Sequence, residues 1–423
     1  MITSSLPTER CPTLSLNQRA QQALHSSFYR AAIAQTLPVA LWRYPHQDTK
    51  HGLVDLSGHA QAAKIDFQQT GAGFAFAPFI NAGGQATLFL KADLILAGQT
   101  VYPGRPQGGA KADQFLAHLQ QLTQADPPAE ADWSAVPVTN EAVHLSDRAE
   151  FCRLVEQAIY YIQSTDIKKV VASRATETPL PADFNPVAAF DKLCARYPHA
   201  FVSLVSIPGL GTWIGATPET LLILNPDRLE TIALAGTQAY PADSDLEAVQ
   251  WGAKEIEEQA LVSDYISNFL RQLGLASFTQ VGPRTVSAGN IIHLKTGFQV
   301  TRPDLAQTGR HRLTDLANQI LDSLHPTSAV CGMPKKEALT FILEQEHYNR
   351  AFYSGFLGPV HINGQSQLFV NLRCMQLKPR RAILYVGAGI TQDSQPQLEW
   401  QETVLKSNTL LSVLAWDEAG PST

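Results

Sequence analysis

The 423-residue chain contains no apolar run of the roughly 18–20 residues needed to cross a bilayer. It has no block of clustered lysine and arginine, and its formal net charge is −6. Nucleic acid is therefore not its expected partner, because phosphate neutralisation needs clustered cations. Cysteine is scarce: Cys11, Cys152, Cys194, Cys331 and Cys374 are scattered, odd in number and without CxxC spacing. That pattern excludes a disulfide framework and a zinc site and fits the reduced thiols of the cytoplasm. The opening stretch, MITSSLPTERCPTLSL, lacks the charged start and apolar segment of a secretory signal. Solenoid periods and low-complexity tracts are missing too. What is present is ordinary for a globular enzyme with a large core, 44% hydrophobic and 17% charged residues.

The clearest composition shift is the Pro-, Ala- and acid-rich stretch over 122–142, which reads as a linker or surface excursion. It separates an N-terminal segment, 1–140, from a longer region, 146–418, where the chemistry-bearing residues lie. In the first segment Leu16–Leu37 and Ala110–Thr123 read as helices, Gly73–Pro78 and Ala86–Phe89 as short strands. In the second, helices are expected over Asp147–Ser164, Pro186–Tyr197, 244–273, Pro334–Gly355 and Glu399–Ala415. The 244–273 helix carries a capping box, Ser244 and Glu247, and a stop at Gly274. Strands are expected over Lys169–Ala175, Phe201–Ile207, Thr212–Ala216, Thr220–Leu224, Thr231–Ala235, Phe298–Thr301, Leu368–Gln376 and Ala382–Gly387. Strands in antiparallel-looking groups with helices between them make an α+β pattern with a large sheet.

Glu255 and Glu258 share one helix face at i,i+3, and Glu399 and Glu402 repeat the spacing. Alone, such pairs are ordinary solvated faces; facing each other, they would offer oxygen donors to a hard cation such as Mg²⁺. Lys169 opens an apolar strand, where a lysine is commonly an edge charge, but a buried amine there is a usable base. Lys168 competes for that role, and alternation lets only one of the two face a site. Glu219 ends the turn Gly-Ala-Thr-Pro-Glu. Gly236–Thr237 and Gly387-Ala388-Gly389 allow close backbone approach to a ligand. His293, Arg373, Tyr353 and Lys406 are polar residues in or beside apolar segments, and a buried arginine needs an anion.

The stretches KKVVASR, GATPE, LAGT, KEIEEQ, IIHLKTG, LHPTSAVCGMPKKEA, YSGFLGPV, NLRCM, GAGIT and QLEWQETVLKS follow one another in order. In that order the chain resembles the chorismate-utilising enzymes, among them most closely the isochorismate synthases. The resemblance implies a single large α+β fold, layered antiparallel-rich sheets flanked by helices, with the active site in a deep cleft. It implies Lys169 as the base for water and Glu219 as the acid for the leaving hydroxyl. Glu258 and Glu402 would be the main Mg²⁺ ligands, with Glu255 and Glu399 assisting. Gly236, Thr237, His293, Ala329, Tyr353, Arg373, Gly387 and Lys406 would bind substrate. One departure is Gln259, where the family usually has histidine.

The implied reaction is Mg²⁺-dependent isomerisation of chorismate to isochorismate, feeding menaquinone biosynthesis in the cytoplasm. No glutaminase subunit is expected, because a lysine base suits water rather than ammonia. Aminodeoxychorismate synthases carry a nucleophilic lysine before the Gly-Thr pair, where this chain has Ala235. Salicylate-forming relatives tend to carry threonine three residues before the glycine of HPTSAVCG; here that residue is Ala329. The alternatives are salicylate synthesis, isochorismate supply for a siderophore, and an inactive structural paralogue.

Overall fold

The computed structural model describes residues 23–81, 85–105, 109–124, 133, 136, 142–239, 245–287, 291–306, 308 and 312–414. In chain order these begin with α1 (Leu24–Ala34), β1 (Val39–Arg43), β2 (Lys50–Val54), β3 (Gln61–Ala62) and β4 (Gly73–Ala77). Next come β5 (Leu88–Lys91), β6 (Leu94–Ala97), β7 (Thr100–Pro103), α2 (Ala110–Gln124) and α3 (Arg148–Ser164). The middle holds β8 (Lys169–Pro179), α4 (Pro186–Arg196), β9 (Phe201–Ile207), β10 (Gly211–Thr217), β11 (Thr220–Leu224) and β12 (Arg228–Ala239). Then follow α5 (Ala253–Gln272), β13 (Thr279–Ser287), β14 (Ile291–Thr301), α6 (Arg302–Ala306) and α7 (Leu313–Leu324). The last elements are β15 (Gly332–Met333), α8 (Lys335–Gln345), β16 (Phe356–Val360), β17 (Ser366–Val370), β18 (Cys374–Lys378), β19 (Arg381–Ile390) and α9 (Pro396–Leu414).

Two antiparallel sheets result. One runs β15-β8-β19-β18-β10-β9-β1-β2-β6-β7, the other β13-β14-β12-β11-β17-β16-β4-β5-β3. The early strands are divided between them: β1 pairs with β9 in the first sheet, and β4 pairs with β16 in the second. The facing surfaces are aromatic. Phe201 stacks on Phe369 with ring centroids 4.0 Å apart, and Phe76 on Phe352 at 4.2 Å. Such pairs add a geometric preference to the large area each ring buries. The outer faces carry helices: α1, α4 and α9 supply Phe28, Phe190 and Leu410 to one core, while α5 and α7 supply Ile266 and Ile320 to another. Strands covered on both faces read as continuous apolar runs rather than alternations, as FVSLVSI in β9 does.

Local chemistry starts the helices where expected. Asp147 caps α3 by accepting from the Glu150 N–H, and Asn185 caps α4 ahead of Pro186 at its first turn. Three expected elements are corrected. The 244–273 helix begins only at Ala253, after Gly252; Asp245 accepts from Glu247 N at 2.9 Å and closes one isolated turn over Leu246–Ala248. Ser244 and most of the 122–142 stretch lie outside the described residues. The Pro334–Gly355 helix stops at Gln345, because Glu346 and Arg350 turn inward as a buried ion pair bonded to strand β8 and the 330 loop. The expected strand Leu368–Gln376 is two strands, β17 and β18, in different sheets. Among the described residues no helix is long and apolar enough to cross a membrane.

Candidate active site

The chain passes between the sheets twice at one place. Pro218 and Glu219 connect β10 of the first sheet to β11 of the second, while Asn371–Arg373 connect β17 back to β18. The two crossovers are bonded together: Ala216 N donates to Arg373 O at 3.0 Å, and Val370 N donates to Glu219 O at 3.0 Å. A Cβ on Gly215 would stand 2.9 Å from Arg373 O, so the glycine of GATPE permits this approach. Arg373 is therefore not mid-strand; it turns with φ 47°, in the left-handed region. Gly236 does not end its strand either. It sits with φ 65° in a bulge of β12, where pairing with β14 shifts between Ala235 and Gln238.

A cleft opens beside the crossovers. Its lining includes Glu219, Gly236, Thr237, Glu258, His293, Ala329, Tyr353, Arg373, Gly387, Glu402 and Lys406. Residues far apart in sequence, from β10 to α9, are thus brought together. Lys169 is not on the lining. It lies behind Glu258, 1% exposed, and donates to Glu258 Oε1 at 2.7 Å. Lys168 is exposed, so the register that buries Lys169 is the one the structure adopts.

Glu219 is buried, and the Thr327 hydroxyl donates to its Oε1 at 3.3 Å. Burial pushes its carboxyl up to about 7, against the opposing pull of Thr327, Lys169, Lys406 and Arg373. His293 is also buried. Nδ1 donates to Gly236 O at 2.8 Å, and Nε2 accepts from Arg373 Nη2 at 3.3 Å. Only a neutral ring protonated on Nδ1 satisfies both contacts, and burial with the Arg373 charge pushes its pKa down to about 3. Arg373 otherwise touches Thr409 Oγ1 at 3.3 Å, and among the described residues it has no carboxylate in ion-pair contact. Burial lowers its pKa to about 10. A desolvated guanidinium with two neutral partners is a receptor for an anion. The Tyr353 hydroxyl stands by Gly387, where a Cβ would be 2.9 Å away.

The four glutamates divide. Glu258, Glu399 and Glu402 each accept from one lysine: Lys169 at 2.7 Å, Lys254 at 2.6 Å and Lys406 at 2.7 Å. Lys406 also donates to Gly387 O at 2.9 Å. Among the described residues, no three His, Cys, Asp or Glu side chains are gathered as a ready metal cage. Yet Glu399 Oε2 is buried and makes no hydrogen bond within 3.5 Å among the described residues. Burial and then Glu402 push the Glu399 pKa up, while Lys254 and then the Ser394 side chain pull it back. Glu255 folds toward the start of α5: a Cβ on Gly252 would lie 2.5 Å from its Oε2. Gln259, the departure from the family pattern, points away from the glutamates and ties α5 to the second sheet through Ala233 O, Ser263 and Thr296.

Three contributors carried no named role from the sequence, Gly389 being read only as part of a glycine-rich stretch. Gly389 lines the cleft, and a Cβ there would be 2.6 Å from Glu258 Oε1 and 2.9 Å from Lys169 Cε. Its signal was the second glycine of Gly387-Ala388-Gly389. Thr327 was visible only as part of HPTSAVCG, and Lys254 only as the first residue of KEIEEQ.

Fold and site together define a chorismate-binding architecture. A family model described as chorismate binding enzyme matches residues 95–415, and the chain belongs to that family. It is 28% identical over 274 residues to the isochorismate synthase EntC of Escherichia coli, covering 64% of this chain and 68% of the relative. In fold it is similar to MenF, the menaquinone-specific isochorismate synthase of Escherichia coli, with TM-score 0.69, 21% identity and 91% of each chain covered. It is also similar to anthranilate synthase component I of Streptococcus pneumoniae, with TM-score 0.61 and 18% identity, covering 97% of this chain and 95% of that one.

Proposed function

We propose that this protein isomerises chorismate to isochorismate. Water enters at C2, the C4 hydroxyl leaves, and the ring double bonds shift between them. The observation that carries this reading is Glu219, a buried carboxyl raised to about 7 in the same cleft as an anion-seeking Arg373. An acid with a pKa near the working pH is well matched to protonating a leaving hydroxyl. Lys169 takes the proton from water. It can do so only as the neutral amine, so its bond to Glu258 must loosen during turnover. Arg373, Tyr353 and Lys406 hold substrate carboxylate, and the neutral His293 ring keeps Arg373 in place. The name of the Escherichia coli relative supports the assignment. The fold is shared with an anthranilate synthase and does not discriminate, but Lys169 favours water as the nucleophile.

The glutamates fit a divalent cation. Their donors are hard oxygens, and Glu399 Oε2 is a buried acceptor that makes no hydrogen bond within 3.5 Å among the described residues. Glu258 and Glu402 would hold Mg²⁺, with Glu255 and Glu399 assisting. When bound, the ion supplies positive charge that lets an anionic substrate sit beside four carboxylates.

The test is product analysis of purified protein with chorismate, Mg²⁺ and ammonium. Isochorismate is expected; anthranilate, or pyruvate with salicylate, would overturn the reading. Ala329 lines the cleft as a methyl that cannot hydrogen-bond the enolpyruvyl group, which favours release of intact isochorismate. The finer reading, supply of menaquinone biosynthesis, is tested by deleting the gene in its host. Growth restored by added menaquinone supports it, and growth restored only by salicylate or a siderophore does not.

A further inference from the structure

Glu399 sits in the first turn of α9, its side chain 2% exposed. One of its oxygens is taken: Lys254 Nζ donates to Oε1 at 2.6 Å. The other, Oε2, is buried and makes no hydrogen bond within 3.5 Å among the described residues, although the Ser394 side chain is close enough to lower the carboxyl's pKa. A carboxylate with one oxygen pinned and one bare is fixed in rotation about its terminal bond. Lys254 comes from a different helix, the first turn of α5, and is 30% exposed. It differs from the other two lysines of the cluster. Lys169 is 1% exposed behind the wall, and Lys406 is also held by Gly387 O. Lys254 borders the cluster from the solvent side; burial lowers its pKa, and Glu399, then Glu402 and Glu258, more than offset that.

We infer that Lys254 is a positioning residue for the cation site: by holding Glu399 Oε1 it presents Oε2 to a divalent ion. The inference rests on the metal reading above. Physically, a ligating carboxylate needs a second partner to fix its orientation, and losing such a partner typically costs about 10–100-fold in metal affinity. The opposite outcome is also physically open. A lysine near an ion repels it, so if Lys254 merely neutralises Glu399, removing it should tighten binding.

The experiment is calorimetric titration of MgCl2 into the full chain and its Lys254→Met and Lys254→Arg variants, with thermal melts to verify folding. Mg²⁺ binding by Lys254→Met is expected to weaken about 10–100-fold, with Lys254→Arg, which keeps a donor, recovering most of it. In steady state, the Mg²⁺ concentration for half-maximal turnover should rise while kcat at saturating Mg²⁺ stays largely intact. Normal wild-type binding with unchanged or tighter binding in Lys254→Met would overturn this inference alone. No Mg²⁺ binding by the unmodified protein would overturn the metal reading and this inference with it. If Lys254→Met fails to fold, Lys254→Gln is titrated against the same two outcomes.

Discussion

Lys169 donates to Glu258 at 2.7 Å from a position 1% exposed, and its neighbour Lys168 is exposed to solvent. One residue of register thus separates a buried cation with a carboxylate partner from a surface charge. Lys169→Ala should lower turnover about 10²–10⁴-fold, the usual cost of losing a general base. Lys168→Ala should leave most of it. Steady-state rates of the two variants, with circular dichroism to verify folding, check this. Loss in Lys168→Ala and not in Lys169→Ala would place the base in the wrong residue.

Glu219 gives a pH prediction with a definite sign. Its carboxyl is raised from 4.5 to about 7 by burial, so the folded chain keeps a proton that the unfolded chain has released. Between those values the folded state binds more protons, and its contribution to stability declines as pH rises through about 4.5–7. Activity that needs the protonated acid should fall above about pH 7. Glu219→Gln should abolish turnover and remove this part of the pH dependence of the melting temperature. A melting profile unchanged by the substitution would contradict the raised pKa.

Much of this site was legible in the sequence. Lys169, Glu219 and the two Glu-x-x-Glu steps stand in short motifs whose order survives whatever the topology does between them. Arg373 was legible as a residue and not as a position. LFVNLRCMQ is one apolar run, and nothing in its pattern marks the left-handed turn at which the chain leaves one sheet for the other. Strands buried on both faces lose the alternation that would have placed their ends. The first sheet's β1, β2, β6 and β7 went unread because each is only four or five residues long. β13 is exposed, polar and interrupted by Gly282-Pro283, as an edge strand can be. Of the lysine partners of the glutamates, Lys406 stands four residues after Glu402 on α9, whereas Lys169–Glu258 and Lys254–Glu399 join different elements and were invisible to spacing.

Arg373 carries a prediction that separates binding from folding. It is buried, and among the described residues its side-chain partners are Thr409 and His293. Replacing an uncompensated buried charge with an apolar side chain is often neutral or stabilising. Arg373→Met should therefore raise KM for chorismate at least tenfold without lowering the melting temperature. A large drop in melting temperature with unchanged KM would make Arg373 a structural residue.

Gly389 is a packing prediction. Its backbone is not in the left-handed region, so alanine is sterically excluded only by the 2.6 Å approach to Glu258 Oε1 and 2.9 Å to Lys169 Cε. Overpacking of this kind costs about 1–3 kcal/mol. Gly389→Ala should fold, melt slightly lower and lose activity by prising the Lys169–Glu258 pair apart. Wild-type turnover in this variant would show that the pair has no part in the reaction.

The account stands on water being the nucleophile at C2. Turnover of chorismate in ¹⁸O-labelled water with Mg²⁺, followed by mass spectrometry of the product, tests this directly. Isochorismate carrying one ¹⁸O on C2, with the original C4 oxygen lost, is the predicted result. Unlabelled isochorismate, or a product lacking the new hydroxyl, would contradict it.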